Sequence, residues 1–115
     1  MLSLIAFTLF VTMHSANAQA QNEVWPGVTI KVLTENESVK VFQVTFARGA
    51  VADWHSHPQY TAYAVTKVKM KAEEKGKEPV IIELQAGQGI WSPAVTHKTT
   101  NIGKKRFTLI VTEIK

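Results

Sequence analysis

Apolar and polar residues alternate with a period of two along most of the chain after Val24. The pattern is clearest in residues 28–32 and 39–46. Because successive side chains of a strand point to opposite faces of a sheet, this alternation predicts strands that bury one face. The other candidate strands lie between Gly, Pro, Asn or Lys-rich turns and cover residues 60–70, 80–84, 89–92, 97–100 and 107–114. About seven or eight short strands predict an all-β fold, a small sandwich or barrel.

Residues 1–20 differ from the rest of the chain. They contain no Lys, Arg, Asp or Glu, and their apolar stretch ends near Met13. That stretch is shorter than the roughly 20 residues that a membrane-spanning helix needs, and small residues follow it at Ala16, Ala18 and Ala20. We therefore predict a cleavable signal peptide over 1–20, a single domain over 21–115 and a periplasmic or secreted protein without a permanent membrane anchor. An uncleaved terminal segment is the alternative.

Composition limits the chemistry. The chain of 115 residues has no cysteine, which excludes disulfides, cysteine-held metal centres and a thiol nucleophile. Any metal must therefore be held by nitrogen and oxygen. The net charge is +4, but basic residues concentrate only at 67–77 and 104–106. We expect no nucleic-acid partner from so weak a pattern.

Three of the four histidines lie in the predicted domain: His55, His57 and His97. On a strand, His55 and His57 point to the same face, and His97 can join them from a neighbouring strand. Three imidazoles suit a divalent Fe, Mn, Ni, Cu or Zn ion and leave coordination positions open. The other interpretation is a His-x-His pair on the surface of a strand.

Two segments around these histidines resemble the two motifs of the cupin superfamily. Residues 49–58, GAVADWHSHP, match the first half of motif one, Gly, five residues, then His-x-His. Residues 87–93, GQGIWSP, match the opening of motif two, and residues 97–101, HKTTN, match its close. The resemblance covers roughly residues 39–114. It implies a jelly-roll barrel of about seven to nine antiparallel strands whose three histidines bind a metal.

The chain departs from the cupin pattern in ways that concern the metal. Thr61 stands where motif one has Glu, and Val68 where it has Gly. Between Pro93 and His97 there are three residues instead of four. If the turn absorbs this deletion, what remains resembles the three-histidine sites of some cupin dioxygenases, which act on thiols or aromatic diols. If it does not, the pocket is vacant or structural.

Four further residues are predicted to line the pocket or to contact the ligands. Gln59, Thr61 and Tyr63 would share a strand face with His57, and Trp91 lies inside motif two. Asp53 could orient an imidazole or cap a turn. The interior is predicted to be apolar, lined by Phe42, Val44, Phe46, Val65, Ile90 and Phe107 or Leu109.

Three functions fit these residues. The first is an exported metalloenzyme with dioxygenase-like chemistry on a small organic substrate, although no side chain identifies itself as catalytic. The second is a non-catalytic module that binds a small ligand or a metal, and the third is a structural or partner-binding domain. We also expect a homodimer, because a strand near residues 28–33 could pair with its copy edge to edge.

Overall fold

The computed structural model describes residues 20–115, so the predicted signal peptide lies almost wholly outside the described residues. Described residues form ten strands and no helix, which confirms the all-β prediction and exceeds the predicted seven to nine strands. The strands are β1 (Gln21–Trp25), β2 (Val28–Glu35), β3 (Val39–Phe46), β4 (Val51–His57), β5 (Tyr60–Ala64), β6 (Val68–Glu73), β7 (Val80–Leu84), β8 (Gly89–Ser92), β9 (Val95–Asn101) and β10 (Phe107–Ile114). It follows that no helix in this part of the chain could cross a bilayer.

The strands form two antiparallel sheets. The larger sheet has the order β1-β2-β3-β10-β5-β8, and the smaller has the order β4-β9-β6-β7. Alternate residues of both sheets meet in one apolar core, as in a jelly-roll barrel. Phe107 of β10 is 1% exposed and stacks on Phe46 of β3 with ring centroids 4.8 Å apart. Burying one such side chain contributes about 2 to 3 kcal/mol.

Three segments differ from the prediction in their strand assignment. Residues 60–70 are not one strand: a turn at residues 65–67 divides them into β5 and β6, which belong to different sheets. Thr66 holds this turn, because its Oγ1 accepts a hydrogen bond from the Thr108 backbone amide at 3.0 Å. The segments β1 and β4 were not among the strands predicted from alternation, because their polar residues interrupt it.

The β1–β2 turn brings the N-terminal strand over the barrel. Gly27 has a φ of +77°, a conformation that glycine adopts without strain, and its carbonyl accepts a hydrogen bond from the Ala47 amide at 2.8 Å. β2 therefore pairs with β1 on one side and with β3 on the other. The edge proposed for dimer formation at residues 28–33 is covered within the chain, so that pairing is wrong. The homodimer itself stays a prediction.

Candidate metal centre

The three histidines come from two paired strands of the smaller sheet. His55 on β4 lies directly opposite His97 on β9, and His57 lies two residues further along β4. The register of the two strands shifts between Ala52 and His55, which marks a β-bulge. Bulges re-aim side chains and are frequent next to active sites.

Ring nitrogens of the three histidines converge. The Nε2 atoms of His55 and His97 are 3.1 Å apart, and one ligand nitrogen from each of the three rings lies within 4.8 Å of the others. An ion with metal–nitrogen bonds near 2.1 Å holds two adjacent ligand nitrogens about 3 Å apart. The three rings could therefore hold one metal ion, as the His-x-His spacing predicted.

Two acceptors fix how the rings present their nitrogens. The Nδ1–H of His55 donates to the backbone carbonyl of Asp53 at 2.6 Å, and the Nδ1–H of His57 donates to the Glu113 carboxylate at 2.5 Å. Because carbonyl and carboxylate oxygens accept hydrogen bonds, these contacts favour a proton on Nδ1 of each ring and leave the Nε2 lone pair free. This donor set suits a divalent transition metal. Asp53 thus acts through its carbonyl, since its carboxylate accepts from the Trp54 amide instead.

Burial keeps two of the three histidines uncharged at neutral pH. Desolvation lowers the pKa of His97 to about 4, with the neighbouring His55 and His57 adding to the effect. The pKa of His55 is also lowered, chiefly by burial. Burial raises the pKa of the Tyr60 hydroxyl, which therefore stays protonated. The imidazoles of His55 and His97 are thus neutral and available as ligands near pH 7.

The histidines line a small apolar cavity of about 90 Å³ inside the barrel. Its wall includes Phe42, Val44, Phe46, Ile90 and Leu109, which confirms the apolar interior predicted from these residues. Val65 is instead 45% exposed, and Phe107 is buried but does not line the cavity. Aromatic rings flank the histidines: Trp25 packs against His55 at 5.2 Å, and Tyr60 against His57 at 4.8 Å, between ring centroids. No Lys, Arg, Asp or Glu of the described chain lines this space.

The prediction that Gln59, Thr61, Tyr63 and Trp91 line the pocket is wrong. A bend at residues 58–59 separates β4 from β5 and resets the alternation. Tyr60 and Ala62 consequently face inward, whereas Thr61 and Tyr63 face solvent. Trp91 pairs with Thr61 on the neighbouring strand and is 61% exposed, with its Nε1–H donating to Gln59 Oε1 at 3.3 Å.

The shortened second motif does not displace its histidine. A turn of two residues, Pro93 and Ala94, joins β8 to β9 and absorbs the missing residue, so that His97 meets His55 in register. The Asn101 side chain that closes the motif is buried and holds the following loop. Its amide group donates to the carbonyls of Phe46, Ala47 and Lys105, and its Oδ1 accepts from the Gly103 amide.

Glu113 is the site residue that sequence reasoning missed. It occupies β10 in the same alternation as Phe107, Leu109 and Val111, whose side chains are buried. A single carboxylate on an otherwise apolar, inward-facing set is a signal of function, since an unpaired buried charge is costly. That alternation marks Glu113 in the sequence as an inward-facing carboxylate, and the strand order then shows that its partner is His57.

Solved structures support the family that the motifs suggested. No protein-family model matches the chain, and a search of curated proteins finds no match. A cupin domain from Bordetella pertussis Tohama I is 28% identical and superposes with a TM-score of 0.72, over 82% of this chain and 99% of that one. The chain is a member of the cupin superfamily.

Enzymes of different activity share this cupin's fold at lower identity. A DMSP lyase from Ruegeria pomeroyi is 14% identical with a TM-score of 0.65, over 88% of this chain and 58% of that one. A polyketide cyclase from Streptomyces resistomycificus is 15% identical with a TM-score of 0.63, over 88% of this chain and 76% of that one. At these identities the similarity establishes the fold alone.

Proposed function

We propose that this cupin holds a divalent transition metal on the Nε2 atoms of His55, His57 and His97 and acts on a small organic molecule, with chemistry of the dioxygenase type. One observation carries the proposal: three imidazoles converge on one point of an apolar cavity, and two of them have their Nδ1 protons already engaged. Neutral nitrogen donors suit Fe, Mn, Ni, Cu or Zn, and the sequence and geometry favour none of these.

The chain's own residues prepare the site for such an ion. A bound divalent metal would supply Lewis acidity and, if redox-active, electrons for dioxygen. Three protein donors leave positions open for a substrate or dioxygen. Phe42, Leu109 and Trp25 keep the adjoining space apolar, which strengthens electrostatic interactions with a bound molecule. Tyr60 keeps its proton and provides an aromatic wall beside His57.

A small cavity implies a small substrate. A volume of about 90 Å³ is well below the roughly 300 to 1,000 Å³ of pockets that bind drug-sized ligands. The lining offers apolar contacts and only a few polar groups, among them Tyr60 and Thr99. We therefore propose a compact substrate with a largely apolar body and a single group that binds the metal.

A non-catalytic binding module is the second candidate. It is favoured by the absence of any carboxylate or lysine among the described residues of the cavity wall, which leaves no evident general base. A lyase and a cyclase share this fold, so the fold does not choose between the candidates. Oxygen consumption with a panel of thiols and aromatic diols separates an enzyme from a binder.

Metal content tests the site directly. The protein purified under native conditions, or reconstituted, should hold about one equivalent of transition metal, and His57→Ala should hold less than about a tenth of that. Thr61→Ala is the matched control, because Thr61 is exposed and faces away from the cavity, so its metal content should equal that of the unmodified protein. A reconstituted wild-type protein that retains less than about a tenth of an equivalent contradicts the proposal.

We also propose that residues 1–20 direct export and are then removed. The support is the uncharged apolar stretch followed by small residues. Expression of the full chain in a bacterial host, followed by cell fractionation and intact mass measurement, tests this proposal. Full-length protein confined to the cytosol contradicts it.

A further inference from the structure

The chain lacks the carboxylate of the first cupin motif but brings another one to the site. Thr61, at the motif position, faces solvent, and the adjacent Ala62 faces the cavity without offering a ligand. Glu113 of β10 lies beside Tyr60 of β5 in the sheet register, on the inward face next to His57. The carboxylate therefore comes from β10, which pairs with β5, the strand on which the motif would place it.

We propose that Glu113 is the positioning residue of this centre: it holds His57 in the tautomer that carries its proton on Nδ1 and so directs the Nε2 lone pair to the metal. The part concerning the metal rests on the proposed function. The part concerning the tautomer does not, because the Glu113–His57 hydrogen bond is present without any ion.

The contacts of Glu113 distinguish positioning from direct ligation. Its Oε2 is 2.5 Å from His57 Nδ1, and the nitrogens that lie within 4.8 Å of one another belong to His55, His57 and His97 without it. A carboxylate behind a ligand imidazole fixes the ring orientation and raises the basicity of the donor nitrogen. A metal here would thus have three neutral ligands, with one negative charge placed behind His57.

Within the described part of the chain, Glu113 has no competing cation. The side chains of His57 and Glu113 are only 15% and 16% exposed, and Glu113 forms no ion pair with Lys or Arg in residues 20–115. The ammonium of Lys40, its register neighbour on β3, lies instead 5.8 Å from the centre of the Phe42 ring. A half-buried carboxylate whose partner is a histidine has the surroundings of a site residue and differs from an exposed surface ion pair.

The test uses Glu113→Gln and Glu113→Ala, with Glu35→Gln as the control. Glu35 is also a carboxylate near the end of its strand, but it pairs with Lys115 at 2.7 Å and touches no histidine. Competition with a chelator should show metal affinity about 10- to 100-fold weaker in Glu113→Ala and an intermediate loss in Glu113→Gln, whose amide oxygen can still accept. Glu35→Gln should match the wild type.

A second measurement needs no metal. Nitrogen-15 NMR of the imidazoles in metal-free protein should show His57 protonated on Nδ1 in the wild type and in Glu35→Gln, and a shift toward the Nε2–H tautomer in Glu113→Ala. Urea unfolding of each variant reports whether the fold is intact. An unchanged His57 tautomer in a folded Glu113→Ala protein overturns the inference. Failure of every protein to bind metal, with the tautomer shift present, overturns only the proposed function.

Discussion

Replacing Gly27 by alanine should destabilise the turn that holds Trp25 over His55. Gly27 has a φ of +77°, and a Cβ added there would lie 3.0 Å from Ala50 Cβ and 3.3 Å from Ala47 Cβ. The left-handed conformation costs alanine about 1 kcal/mol, and forced close contact in a packed region adds about 1 to 3 kcal/mol. We expect Gly27→Ala to lose about 3 kcal/mol of unfolding free energy in urea.

Gly76→Ala separates the two contributions. Gly76 has the same φ of +77°, but an added Cβ there would meet nothing within 4 Å. This control should lose about 1 kcal/mol, the backbone cost alone. The Gly27 carbonyl accepts a hydrogen bond from the Ala47 amide at 2.8 Å. Because this bond ties the β1–β2 turn to the barrel, relief of the clash must also move the turn. Equal losses in the two variants would refute the steric argument.

Two further predictions concern stability. Asn101→Ala should lose about 3 kcal/mol in urea, because it leaves the buried Phe46 carbonyl and three part-buried backbone groups without their partner. Asn36→Ala, which removes an exposed cap on the Ser38 and Val39 amides, should lose about 1 kcal/mol. Similar losses in the two variants would argue against a stabilising role of the Asn101 network. The pKa of His97 is about 4 when folded, below the 6.5 of a free imidazole. The unfolded chain therefore binds the proton first, and metal-free protein should lose about 2 kcal/mol as pH falls from 6.5 to 4. His97→Asn should be less sensitive over that range, and an identical pH profile would contradict the assignment.

Much of the fold follows from alternation alone. β3 and β10 were predicted because every second side chain is apolar, and the structure pairs them across the middle of the larger sheet. β1 and β4 could not be predicted in this way. β1 is exposed along most of its length, and β4 devotes its inward positions near the site to histidine, so neither carries the apolar signature of a half-buried strand.

The candidate site was predictable to the extent that its geometry is local. The His-x-His prediction requires only that one strand be regular over three residues, and β4 is regular from His55 to His57. The pocket prediction for Thr61 and Tyr63 extended the same alternation across Pro58, where the chain bends and the alternation restarts. Predicting that Glu113 meets His57 required knowledge of which strand lies beside β5. Strand order depends on contacts between residues far apart in sequence, so the alternation along β10 could not supply it.

The β4 bulge explains why both histidines of that strand face the cavity. The pairs Val51–Thr100 and Ala52–Thr99 set a register that, if continued without interruption, would place residue 54 opposite His97 and turn His55 outward. One extra residue between Ala52 and His55 shifts the register, so that His55 meets His97. The same local bend directs the Asp53 carbonyl to His55 Nδ1. A His-x-His sequence is compatible with either face of a sheet, and in this chain the bulge determines which face the histidines occupy.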